Sequence, residues 1–143
     1  MSALRDALDT AGVDYALCGG LAMAVHGYPR ATIDIDLYVL ESDSERILEL
    51  AEGLGFTFRA LPMTFSGGKI RIRRITKLDP TDGSALILDL LIGSEELHEV
   101  WEKREQRRWE GGPLSVVSRK GLIALKRLRS SAQDLADIEK LHE

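Results

Sequence analysis

Two aspartates one residue apart, Asp34 and Asp36, alternate with apolar residues in the stretch Thr32-Ile33-Asp34-Ile35-Asp36-Leu37. In an extended strand both carboxylates project from one face, while Ile33, Ile35 and Leu37 project from the other. Two like charges side by side repel, and aspartate is a poor strand former, so the arrangement asks for compensation. A divalent cation would supply it. The spacing leaves a second reading open, in which Thr32, Asp34, Asp36 and Tyr38 form a solvent-facing polar stripe over an apolar core stripe. A third carboxylate, Asp89, stands between Leu88 and Leu90 in the apolar run Ala85–Gly93. A lone carboxylate buried in mid-sheet is costly, so Asp89 is expected to be paired, protonated or bound to metal. Upstream, Gly19 and Gly20 lie where a short strand, Val13 to Cys18, runs into the helix-like LAMAVHG. Backbone N–H groups at such a turn bind phosphate without a side chain. Three carboxylates meeting on adjacent strands could hold one or two Mg²⁺ ions that bridge triphosphate oxygens, which is the chemistry of nucleotidyl transfer.

The elements that must position these residues are legible from periodicity. Ser2 to Ala11 predicts an amphipathic helix stopped by Gly12, and Ala31 to Leu40 predicts the strand that carries the paired aspartates. A helix capped by Ser42 or Asp43 and ending at Leu54–Gly55 follows, then a strand over Phe56 to Leu61. Lys69 to Lys77 alternates Lys69, Arg71 and Arg73 against Ile70 and Ile72, and reads as an edge or solvent-facing strand protected by charge. After the turn Leu78–Ser84 comes the Asp89 strand, then a helix from Ser94 to Lys103 and a short strand from Leu114 to Val117. Arg119 to Arg129 and a capping-box start at Ser131 and Asp134 predict two C-terminal helices. Lys126, four residues after Leu122, falls on the apolar arc of the first, so it either snorkels to solvent or points into a site and meets phosphate. His26, near a helix C-terminus, reads as structural, and Cys18 as a small buried hydrophobe.

A chain of 143 residues with 44% hydrophobic content suits one domain. No apolar run approaches the roughly 18 residues of a membrane span, no secretory signal opens the chain, and the single cysteine fits a reducing compartment, so a cytoplasmic protein is expected. A net charge of −4 does not suggest a nucleic-acid binder, although local clusters such as Lys69, Arg71, Arg73, Arg74 and Lys77 could hold a polyphosphate.

Taken together, these motifs resemble the nucleotidyltransferase superfamily with the polymerase-beta-like catalytic fold. Its pattern of hydrophobic residue, Gly, Gly or Ser, spacer, Asp-hydrophobic-Asp and later acidic residue is similar to Cys18-Gly19-Gly20, Asp34-Ile35-Asp36 and Asp89. Arg30 to Asp36, together with Leu122–Lys126 and Gln133-Asp134-Leu135-Ala136-Asp137, most resembles the small bacterial abortive-infection and toxin–antitoxin branch. The resemblance implies an α/β (α+β) fold, a mixed β-sheet flanked by helices with C-terminal helices. It also implies that Asp34, Asp36 and Asp89 ligate Mg²⁺, or Mn²⁺ in its place, with Asp89 helping to activate an acceptor hydroxyl. Gly19 and Gly20 would receive the phosphates of an NTP, and Arg30, Thr32 and Lys126 would contact phosphate or orient it. Many active members have serine where this chain has Gly20, which offers phosphate only its backbone; Gly-Gly occurs in the toxin-like branch.

Three functions follow as expectations. The first is transfer of a nucleoside monophosphate from an NTP to a hydroxyl on RNA, a protein or a small molecule, in a toxin–antitoxin or phage-defence setting. The second is a catalytically inactive member of the fold acting as a binding partner or antitoxin-like subunit. The third is a structural module with an acidic sheet face. Geometry separates the third from the others, because carboxylates facing opposite sides of the sheet would end the metal reading.

Overall fold

The computed structural model describes residues 1–28, 34–129 and 131–142. Helix α1, Ser2–Ala11, ends at Gly12, whose left-handed backbone (φ 68°) turns the chain towards strand β1, Ala16–Cys18. Helix α2, Gly19–Val25, follows directly, then strand β2, Ile35–Tyr38, and helix α3, Glu41–Glu52. Strands β3 (Phe58–Arg59), β4 (Met63–Phe65), β5 (Ile70–Leu78) and β6 (Ala85–Gly93) come next. A short helical turn and helix α4, His98–Glu102, lead to the hairpin of β7, Glu105–Trp109, and β8, Gly112–Val116. Helices α5, Arg119–Arg129, and α6, Ala132–His142, complete the described fold.

The strands form one eight-stranded mixed sheet in the order β3-β5-β6-β2-β1-β8-β7, with β4 also paired to β5. The central pairs β2–β6 and β1–β8 are parallel, and β1–β2 and β5–β6 antiparallel. Alternation then assigns side chains to faces. Ile35, Leu37, Ile75, Leu88 and Leu90 share one face and are almost wholly buried, each burial contributing about 1.5–3 kcal/mol. Asp36, Tyr38, Arg74, Asp89 and Leu91 share the other face, where Tyr38 stacks on Trp101 of α4 and its hydroxyl donates to the Leu97 carbonyl at 3.0 Å.

Several expectations are corrected. Strand β5 is internal, with β6 on one side and β3 and β4 on the other. Its basic stripe faces the acidic helix α3: Arg71 pairs with Glu41 at 2.7 Å and Arg73 with Glu45 at 2.9 Å. Neither Ser42 nor Asp43 caps α3; the helix begins at Glu41, and Ser44 turns its hydroxyl to the Glu41 carbonyl. The charged segment Glu105–Trp109 is a strand, and its charges suit the sheet edge that it occupies. The predicted start of the Asp34 strand, Ala31 to Ile33, lies outside the described residues. Among the described residues no helix is long and apolar enough to cross a membrane.

Candidate active site

Asp36 and Asp89 are register partners across the parallel pair β2–β6, so their side chains stand next to each other on one face. Asp34, immediately before β2, lies close enough for its charge to act on Asp36. Burial first, then the charge of Asp89 and more weakly that of Asp34, push the Asp36 carboxyl up to about 6, against opposing pulls from Arg129 and Lys126. The face therefore holds a concentration of negative charge that the fold offsets only in part.

The strand-to-helix turn is built around the same carboxylate. Gly19 adopts φ 68°, and a Cβ added there would lie 2.7 Å from the Asp36 Cγ and 2.9 Å from its Cβ. Only glycine accepts both the left-handed backbone and the approach of Asp36. Cys18, the register partner of Asp36 in β1, is wholly buried, and its thiol is pushed well up by burial and by Asp36, which agrees with a packing role. Gly20 is buried in the first turn of α2.

Asp89 has a partner that the sequence reading did not assign. Arg74, directly opposite it in β5, donates from Nε to Oδ1 at 2.7 Å and from Nη2 to Oδ2 at 3.0 Å. This bidentate pair occupies both carboxylate oxygens. Among the described residues no three His, Cys, Asp or Glu side chains are grouped to hold a metal ion. The pattern carried a signal for Arg74. In the alternation of β5, Arg71 and Arg73 share one face while Arg74 falls on the face of Ile70 and Ile72, a lone cation matched to the lone carboxylate of β6.

Lys126 does not snorkel to solvent. It is buried, donates from Nζ to Asp137 Oδ2 at 3.0 Å, and lies 3.8 Å from Asp134 Oδ1. Gln133 donates to the other Asp137 oxygen, and Asp134 completes the predicted capping box by accepting from Ser131. Lys126 thus ties α5 to α6, while also lining a small pocket with Gly19, Asp36, Leu122 and Arg129. His26 is structural, donating from Nε2 to the Val117 carbonyl at 2.9 Å. Arg30 and Thr32 lie outside the described residues.

No protein-family model and no curated protein matches the chain. Solved structures do. TM1012 from Thermotoga maritima, provisionally assigned as a nucleotidyltransferase, superposes with a TM-score of 0.58 at 17% identity, over 97% of this chain and 84% of its own. JHP933 from Helicobacter pylori gives 0.61 at 17% identity, over 99% of this chain and 62% of its own. ANT(2")-Ia, solved in complex with adenylyl-2"-tobramycin, gives 0.63 at 14% identity, over 98% and 84%. With its mixed sheet, flanking helices and near-complete coverage, the chain has the nucleotidyltransferase fold.

Proposed function

We propose that this chain is a metal-dependent nucleotidyltransferase that moves a nucleoside monophosphate from an NTP to a hydroxyl acceptor. The observation that carries the reading is the in-register pair Asp36–Asp89 on one sheet face against the Gly19 turn, with Asp34 two residues before Asp36 in the chain. In donor chemistry Asp34 and Asp36 suit a hard divalent cation, Mg²⁺ or Mn²⁺, and the upward push on Asp36 marks a site that a cation would relieve. Asp34 and Asp36 would hold the ion, with Asp89 as third ligand once its oxygens leave Arg74. A bound cation would polarise the phosphate and stabilise the leaving pyrophosphate. The acceptor oxygen would form the new bond to the α-phosphorus as the bond to pyrophosphate breaks, and Asp89 would orient the hydroxyl and accept its proton. Gly19 and Gly20 would admit the phosphates close to the backbone, with Arg30, Thr32 and Lys126 as further phosphate or orienting residues. The adenylylated compound bound by ANT(2")-Ia supports a small-molecule acceptor as one class. A toxin–antitoxin or phage-defence role, as the sequence resemblance implies, would make it an RNA or a protein.

One observation favours the second reading, an inactive nucleotidyltransferase-fold protein that serves as a partner or antitoxin-like subunit: Asp89 is already neutralised by Arg74. Thermal shift separates the two without knowledge of the acceptor. ATP, GTP, CTP and UTP are each added with and without Mg²⁺ to the wild type and to Asp34→Ala/Asp36→Ala. Millimolar nucleotide at a real site raises the midpoint. A Mg²⁺-dependent rise lost in the double variant supports the enzyme; no rise with any nucleotide overturns it in favour of the partner.

A further inference from the structure

Arg74 and Asp89 form a pair of unequal exposure. The carboxylate side chain is 10% exposed and the arginine side chain 38%, so the guanidinium is the outer member. Its Nε–Nη2 edge is committed to Asp89, whereas among the described residues no protein acceptor receives a hydrogen bond from Nη1. The charges of Asp34 and Asp36 also act on the guanidinium, more weakly than that of Asp89. A half-exposed planar cation with Nη1 uncommitted, beside the carboxylates of the acidic sheet face, has the donors for bidentate recognition of phosphate.

We propose that Arg74 is a nucleotide-recognising residue that trades partners: it holds Asp89 in the ligand-free protein and passes to a phosphate of the incoming NTP, releasing Asp89 for the cation and acceptor. This rests on the nucleotidyltransferase reading. The trade makes the reactive arrangement conditional on nucleotide. Without an NTP both Asp89 oxygens are occupied; with one bound, the negative charge of the phosphates replaces that of Asp89 as the guanidinium's partner.

The test is a double-mutant cycle on nucleotide affinity, measured in EDTA, where ligation of a cation by Asp89 does not enter, by calorimetric titration of the four NTPs into the wild type, Arg74→Gln, Asp89→Asn and the double variant, with the wild type also titrated in Mg²⁺. Under the trade, Asp89→Asn removes the competitor for Arg74 and tightens binding about tenfold, a hydrogen-bonded charge pair being worth at least that. In the Arg74→Gln background the same substitution gives less than about a threefold gain. Equal gains in both backgrounds reduce the effect to simple charge removal and overturn the trade. Weaker binding by Asp89→Asn makes Asp89 an anchor for Arg74 and overturns it as well. Wild-type protein that binds no NTP even with Mg²⁺ overturns the nucleotidyltransferase reading itself, a result distinct from either. The wild type supplies a second readout that requires no variant to fold. The ¹⁵N resonance of the Arg74 Nε–H group, assigned by its loss in Arg74→Gln, must move when Mg²⁺ and a bound NTP are added; a resonance that stays in place refutes the exchange.

Discussion

Replacing Asp36 by asparagine keeps the shape of the side chain and removes its charge, and the structure sets both sign and size of the effect. In the fold the carboxyl is pushed from 3.8 up to about 6 by burial and by Asp89, so the folded protein keeps a proton that the unfolded chain has lost. Stability from this group is therefore fully present below about pH 4, falls as the pH rises to about 6, and stays low beyond. At ~1.4 kcal/mol per pH unit, ionising Asp36 in the ligand-free fold costs about 3 kcal/mol. In EDTA at pH 8, Asp36→Asn should melt ~5 °C or more above the wild type. The gap should close as the pH is lowered to about 4, because wild-type Asp36 is then neutral as well. With Mg²⁺ and a binding nucleotide the order should reverse, the wild type alone gaining ligand stabilisation. Calorimetric unfolding at the two pH values is the assay. A variant no more stable than the wild type at pH 8, or a gap that persists under acid, would refute the account of Asp36 as a strained, cation-seeking group.

Two further outcomes follow from the packing. Gly19→Ala places a Cβ against the Asp36 carboxyl on a left-handed backbone, and should cost ~2–4 kcal/mol in chemical denaturation, or leave the chain unfolded. Asp137→Leu takes the hydrogen-bonded carboxylate from the buried Lys126 ammonium and leaves it Asp134 at 3.8 Å, at a cost of ~2–3 kcal/mol, whereas Lys126→Met/Asp137→Leu should recover most of that loss, which urea unfolding of the three proteins would show.

What was legible in the sequence was local. The amphipathic stripe and Gly12 mark α1, and the Ser131–Asp134 capping box marks α6, because each signal lies within a few residues of the structure that it specifies. The period-two placement of Asp34 and Asp36 identified the acidic face, and the lone Asp89 in an apolar strand announced a partner. What was not legible depends on pairings between distant segments. Nothing near Arg71 and Arg73 shows that Glu41 and Glu45 of α3 lie over them, so the basic stripe reads as an exposed edge. Strand β7 carries charge on both faces, as an edge strand can, and so lacks the alternation that reveals a half-buried one. Lys126 is ambiguous on one helix and becomes explicable only when α6 brings Asp134 and Asp137 to it.

The contact between Gly19 and Asp36 constrains how this chain can diverge. A β-carbon at position 19 is excluded while an acidic side chain occupies position 36, so a lineage that kept the chemistry could not explore substitutions at the turn. Once position 36 shrinks to a residue such as glycine, the steric half of that restriction disappears and only the left-handed backbone at 19 resists change. Asparagine, which tolerates that backbone, then becomes admissible at 19. The two positions should therefore drift as a pair, loss at 36 preceding variation at 19. A set of descendants would record in residue 19 whether selection on the carboxylate had lapsed.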